Sequence, residues 1–289
     1  MHGSGGRRRW LVGAAAVALT AGCTAGSAAP GVPSSSTSAP ATTTPAASPA
    51  TGDDYAGAVR TAGPVAWWRL DETTGRTAAD SAGGYDARFV GDVVTGEPGA
   101  VAGAGTSVRL DGSGAHVYVV DASDARAAGL APRDAVSVEL WFRAAPGAGD
   151  GRMVLARWRW YGWDLAVDAG RVTASAWERR DGEQPVQKTL AGPVLDDGWH
   201  HVVLSRDAQS TRLFVDGVPV DDAATTGPLF ALAVPPADDC CGVGGGVALG
   251  RDGDVDSGYV DGWLDEVAVY DRALTAAEIS DHHGYAASQ

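Results

Sequence analysis

Lysine is almost missing from this 289-residue chain, with Lys188 the only one. Acidic side chains outnumber basic ones, 36 to 22, for a formal net charge of −14. Such a surface repels a phosphate backbone, so nucleic acid is excluded as the expected partner. The acidity suits calcium, or simply solubility. Cysteine is scarce: Cys23 stands alone and Cys240 and Cys241 are adjacent, with no C-x-x-C to support dithiol chemistry. There is no G-x-S-x-G, no H-E-x-x-H and no glycine motif that would cradle a phosphate. There is no internal repeat. The apolar run from Leu11 to Leu19 is too short to cross a bilayer as a helix.

What is present begins with an address. Arg7, Arg8 and Arg9 precede that apolar run, and Thr20-Ala21-Gly22 precedes Cys23, so residues 1–22 read as an export signal of lipoprotein type. Thr20 stands where a lipobox usually has leucine. Two outcomes follow: lipidation at Cys23, which would tie the chain to a membrane by a lipid anchor alone, or ordinary secretion. Residues 23–52 are rich in Ser, Thr, Pro and Ala and cannot bury enough apolar surface to fold. They form a disordered spacer, reaching about 30 Å as a coil. Residues 53–289 suffice for one large β-domain.

That domain is organised around Asp197 to Gly217. Trp199 to Ser205 and Thr211 to Val215 are dense in β-branched and aromatic residues, with Asp207, Gln209 and Ser210 as the turn between them. Asp216-Gly217 turns again into Val218 to Val220. Val136 to Arg143 alternates: Val136, Val138, Leu140 and Phe142 on one face, Ser137, Glu139, Trp141 and Arg143 on the other, which predicts a half-buried strand. Trp67-Trp68 puts one indole on each face of a first strand. Asp168-Ala169-Gly170 is a hairpin turn, and Ser107 to Asp111 with His116 to Val120 predicts a hairpin around Gly112-Ser113-Gly114. A short helix is expected over 53–62. A second is expected over 276–283, opened by the capping box Thr275-Ala276-Ala277-Glu278.

W-H-H-V-V-L-S-R-D followed by R-L-F-V-D-G resembles the signature of the laminin-G-like jelly roll of the concanavalin A-like lectin/glucanase superfamily. Five further stretches resemble it in order: Trp68 to Glu72, Ala79 to Gly83, Val108 to Gly112, Val138 to Phe142 and Gly262 to Val267. The resemblance implies an all-β, two-sheet antiparallel β-sandwich with a short C-terminal helix. Fold does not give function.

Three candidate sites stand out. Asp265 is expected to share an apolar face with Trp263, Val267 and Val269, where a carboxylate must be paired or bind a cation. The resemblance implies calcium there, with Asp80 and the carbonyls of the loop from Ser81 to Asp86; Asp111 is a further candidate ligand. An ion pair with Arg69 is the other reading. Asp252, Asp254 and Asp256 alternate as in the start of a calcium loop, or form a solvated acidic turn. Arg157 to Asp164 packs four aromatic side chains into six residues, so Trp158, Trp160, Tyr161 and Trp163, with Asp164, form either a sugar platform or a cap on the core. Trp177 reads as core. His200 and His201 point to opposite faces and read as structural, and His282 and His283 as cationic groups at a helix end. Cys240 and Cys241 form a vicinal disulfide or stay as thiols. Glucanases of the superfamily carry E-x-D-x-x-E on one strand, and the run from Asp265 to Tyr270 lacks that spacing.

The function expected is a surface-anchored, non-catalytic module that binds a glycan on a calcium-pinned scaffold. The rivals are a protein-binding adhesion or envelope scaffold whose partner is a surface protein, and a glycoside hydrolase without a recognised motif.

Overall fold

The structure, a computed structural model, describes residues 52–103, 105–119, 130–131, 134–158, 161–179, 182–230, 246–253 and 255–287. Cys23, Trp160, Cys240, Cys241 and Asp254 therefore lie outside the described residues. The chain enters through helix α1 (Gly52–Ala62). Short strands follow: β1 (Ala66–Trp68), β2 (Thr77–Ala78), β3 (Ala87–Val90), β4 (Val94–Pro98), β5 (Thr106–Asp111) and β6 (His116–Tyr118). The longer ones are β7 (Val136–Ala144), β8 (Met153–Trp158), β9 (Trp163–Asp168), β10 (Arg171–Glu178), β11 (Val186–Val194), β12 (His200–Arg206), β13 (Ser210–Val215) and β14 (Val218–Ala224). β15 (Val247–Leu249), β16 (Asp261–Tyr270) and helix α2 (Ala276–Ala287) complete the chain.

Sheet A runs β14-β13-β12-β7-β16-β5-β4, with β1 also paired to β16; sheet B runs β11-β10-β9-β8-β15-β6-β3-β2. All pairings are antiparallel, and the two sheets stack as a sandwich. The strand–turn–strand–turn–strand unit expected around Asp197 to Val220 is β12, β13 and β14, with a register shift between Leu213 and Phe214 where β13 pairs with β14. The hairpin expected at Gly112 to Gly114 is not one. β5 pairs with β4 and β16 in sheet A, whereas β6 pairs with β3 and β15 in sheet B, so this turn carries the chain from one sheet to the other.

The main core fills the space between the sheets. Trp68, Val138, Leu140, Phe142, Leu165, Val202 and Leu204 all belong to it. A second core lies on the outer face of sheet A, where α1 and α2 cover Trp67, Trp141, Val203, Phe214, Ala268 and Tyr270. The paired tryptophans thus divide as alternation requires, Trp68 inward and Trp67 under the helices. β7 is not half-buried as expected. Ser137, Glu139 and Trp141 are buried as well, because the helices roof their face. α2 begins at its capping box: Thr275 N–H donates to Glu278 Oε2 at 2.8 Å and Glu278 N–H donates to Thr275 Oγ1 at 3.2 Å.

A bulge in β16 changes the reading of its faces. Register shifts between Asp265 and Ala268, with Glu266 at φ +50°. Asp265 keeps the outer face with Trp263, while Val267 and Val269 turn into the main core. The single-face pattern expected from Trp263 to Val269 is broken there.

Candidate functional site

The period-2 alternation of sheet B decides which side chains its outer face presents. On β8, past a register shift between Val154 and Ala156, Arg157 points out and Trp158 into the main core; on β9, Trp163, Leu165 and Val167 point in and Asp164 points out. Trp158 and Trp163 are completely buried core residues. This corrects the expectation that they stack on a ligand: their faces meet the apolar side chains between the sheets. The turn between them is closed onto the core too. A Cβ on Gly162 would lie 2.7 Å from Trp158 Cδ1, and its φ of +79° suits glycine.

What the outer face carries is a polar row that crosses the sheet by register. Thr189 on β11 faces Ser175 on β10, which faces Asp164 on β9, which faces Arg157 on β8. The row continues through Ala248, Tyr118 and Arg88. Arg152 lies 3.1 Å from Asp164 Oδ1, and Arg157 reaches Asp252 Oδ1 at 2.7 Å. Gln187 donates to Ser175 Oγ at 3.0 Å. Burial raises the Asp164 carboxyl above its ordinary value, against the pull of Arg152 and Arg157. Arg88 stacks over Tyr118 at 5.4 Å.

Aromatic side chains flank this row at one end. Tyr161, 39% exposed and at φ +69°, meets Trp177 edge-on at 6.4 Å and Phe230 at 5.1 Å. Arg179 lies 4.1 Å over Phe230, and Arg157 lies 6.0 Å over Trp177. Trp177 is half-buried on the outer face, not in the core as expected. Its alternation with Ser175 and Thr173, both polar, was the signal that could have placed it there. Of the expected ligand residues, Tyr161 is exposed on this face, whereas Asp164 lies on it buried beneath its neighbours, at 1% exposure. Sequence reasoning missed Arg152, Trp177 and the bond between Arg157 and Asp252.

The expected calcium ligands do not assemble. Asp80 spends both oxygens on backbone amides: Oδ1 accepts from Trp67 N at 2.8 Å and Ala82 N at 2.9 Å, Oδ2 from Tyr85 N at 3.0 Å. Asp111 Oδ1 accepts from the amides of Ser113, Gly114 and Ala115. Against a push from burial, those amides hold its carboxyl down at about 2. Asp252 is committed to Arg157, and Asp256 accepts from the Tyr259 hydroxyl. Among the described residues no three His, Cys, Asp or Glu side chains converge as a ligand set.

Asp265 is different. It is buried, its Oδ2 accepts from Ala100 N at 2.7 Å, and its Oδ1 is buried without a partner. The ion pair expected with Arg69 goes instead to Glu266, at 2.9 Å, with Asp71 at 3.1 Å on the same guanidinium. Burial, then the charges of Glu266 and Asp71, push the Asp265 carboxyl well up. Burial likewise raises Glu266 to about 7. The loop between β4 and β5 closes over these carboxylates. A Cβ on Gly105 would fall 1.8 Å from Asp71 Oδ1, and one on Gly99 would fall 2.9 Å from Asp265 Oδ2. Asp265, with Asp71 as its acidic neighbour, retains a free buried oxygen that a hard cation would satisfy.

The histidines are structural, as expected for His200 and His201. His200 is held by Asp216 at 2.9 Å and Asp196 at 3.1 Å, and His201 Nε2 meets Glu139 at 3.2 Å. His282 does not end a helix in solvent: it is buried against Glu139 at 2.9 Å.

Residues 111–280 match the laminin G family model described as the concanavalin A-like lectin/glucanases superfamily. No curated protein matches. Among solved structures, the fold is similar to domain 4 of AbnA, a GH43 extracellular arabinanase from Geobacillus stearothermophilus, in complex with arabinotriose. The TM-score is 0.52 at 16% identity, over 76% of this chain and 98% of that one. It is also similar to the botulinum neurotoxin serotype D ligand binding domain in complex with N-acetylneuraminic acid, with TM-score 0.52 and 12% identity over 78% of this chain. The receptor binding domain of the neurotoxin C/D mosaic serotype gives TM-score 0.51 at 13% identity over 77% of this chain. This chain spans about half of those two neurotoxin domains, 52% and 51% of their lengths.

Proposed function

This chain belongs to the concanavalin A-like lectin/glucanases superfamily, and we propose that it is a non-catalytic module that binds carbohydrate on the outer face of sheet B. One observation carries the reading: half-exposed aromatic rings, Tyr161 and Trp177, stand at the end of a row of ion-paired side chains. Aromatic faces take the C–H surface of a sugar, and fixed carboxylates and guanidinia take its hydroxyls. Asp252 is held by Arg157 and stays partly exposed, which suits holding hydroxyls better than it suits a free acid paired with a nucleophile. The arabinotriose and N-acetylneuraminic acid complexes of its structural neighbours support the same ligand class. With the export signal and Cys23, the proposed setting is the outer surface of a cell.

The test is a glycan array with the full chain, followed by titration of the hits. Trp177→Ala is expected to weaken binding about tenfold, near 1.4 kcal/mol, while the melting temperature stays within a few degrees. Hits that bind the variant as well as the parent overturn this surface as the site. A silent array overturns the ligand class and leaves a surface protein as the partner.

We propose calcium, in turn, at Asp265 with Asp71 beside it. When bound it would supply a fixed charge that pins the loop between β4 and β5. Asp265 and Glu266 have raised folded-state values, so their contribution to stability is complete below the unfolded carboxylate range and is lost as pH rises through those raised values, about 7 for Glu266. His200, raised first by its bond to Asp216, and His282, raised by Glu139 against its burial, act in the same direction. In chelator the melting temperature should therefore fall between pH 6 and pH 8.5. Calcium should restore it most at pH 8.5, and Asp265→Asn should flatten both responses. Identical melting with and without calcium at pH 8.5 removes the proposal.

A further inference from the structure

The helices α1 and α2 roof only part of sheet A. The row His201, Trp141, Asp265 lies beside or beneath them, and the next row outward emerges half-exposed. In that row Trp263 on β16 faces Arg143 on β7 and Arg109 on β5, and Trp199 precedes β12 opposite Arg143. The four side chains alternate indole and guanidinium. Arg143 Cζ lies 4.1 Å from the Trp263 ring and 5.1 Å from the Trp199 ring, and Arg109 lies 4.8 Å over the other side of the ladder at Trp263.

The two cations differ in what they bond. Arg109 is neutralised by Asp261 at 2.5 Å and also donates to Gly262 O. Arg143 has two indole faces as its contacts among the described residues, and its buried Nε–H has no acceptor. A guanidinium stacked between aromatic rings keeps its edge free. That edge is a planar fork of donors matching the two oxygens of a carboxylate. Two acceptors stand on its Trp263 side. Glu97 Oε2 takes the Trp263 Nε1–H at 3.3 Å, and Asp261 lies beyond Arg109.

We propose that Arg143, clamped between Trp199 and Trp263, receives the single carboxylate of an acidic saccharide. The clamp holds one cation with no anionic partner among the described residues, in a chain of formal net charge −14, which repels polyanions and acidic peptides but tolerates a ligand with one negative charge. The flanking carboxylates of Glu97 and Asp261 accept hydroxyl donors, which a sugar acid has and a simple carboxylic acid lacks. This site lies on the sheet opposite the glycan surface proposed above, and its failure would leave that surface untouched.

The experiment follows arginine Nε–Hε resonances of the full chain by NMR at fixed ionic strength. The probes are sodium D-glucuronate, D-glucose, sodium acetate and a tetraglutamate peptide. One resonance, missing from Arg143→Lys, should shift saturably with glucuronate, and glucose and acetate should act at least tenfold more weakly. The Arg143→Lys chain should bind glucuronate at least tenfold more weakly than the parent. No saturable shift with glucuronate overturns the proposal, as does an equal response to glucose or acetate. A tighter response to tetraglutamate overturns the saccharide in favour of an acidic peptide. If Arg143→Lys does not fold, the four titrations of the parent chain still decide.

Discussion

Trp158→Ala is expected to lower the unfolding free energy by about 3–5 kcal/mol, and Trp163→Ala by a similar amount. Both indoles are fully buried between the sheets, so truncation removes the transfer energy of a large apolar side chain and leaves a cavity that neighbouring strands cannot collapse into. Denaturant melts of the two variants beside Trp177→Ala make the comparison internal. Trp177, half-buried on the outer face, should cost much less stability and much more binding. A Trp158→Ala chain as stable as the parent would show that the ring is not core, and would return it to the ligand surface.

Glu139→Ala is the other large effect, again about 3–5 kcal/mol. For a domain of this length that corresponds to a melting temperature lower by roughly 10 °C. Glu139 is completely buried in the second core. It accepts from His282 Nδ1 at 2.9 Å, His201 Nε2 at 3.2 Å and the Tyr270 hydroxyl. Burial pushes its carboxyl up, but the bonds from His201 and His282 win and hold it well below the usual carboxylate range. Removing the carboxylate strands these buried donors together, two of them on sheet A and one on α2. Glu139→Gln keeps the volume and should lose less. A loss under about 1 kcal/mol in the alanine variant would mean that the helices are held by apolar contact alone.

The sandwich was legible because its signals are local and redundant. Val136 to Phe142 alternates, Thr211 to Val215 follows a turn, and Thr275 to Glu278 caps a helix; each element formed where expected. The candidate sites were harder for reasons that particular residues make plain. Asp80 and Asp111 sit in D-S-A-G-G and D-G-S-G, and an aspartate before glycine is as good a cap for backbone amides as a cation ligand. The alternation of Arg157 with Trp158, and of Trp163 with Asp164, was visible, but which face meets the opposite sheet depends on distant strands. Glu266 in the bulge of β16 reversed the faces beyond it, and no local pattern announces a left-handed glutamate. The burial of Glu139 and His282 depends on where two helices dock, a long-range fact that strand periodicity does not contain.

The placement of β16 has a consequence for how the chain is made. It is the last strand in sequence, yet it lies at the centre of sheet A, paired with β7, β5 and β1. Residues 66–68 find their partners at 267–269, nearly the whole domain later. Until residues 261–270 have been synthesised, β7 and β5 face an empty slot with unpaired backbone, a template for wrong pairing. Closure over such sequence distance is also slow. A product cut short before position 261 therefore lacks the keystone of one entire sheet, and would be expected to meet proteases or aggregate instead of surviving as a shortened domain.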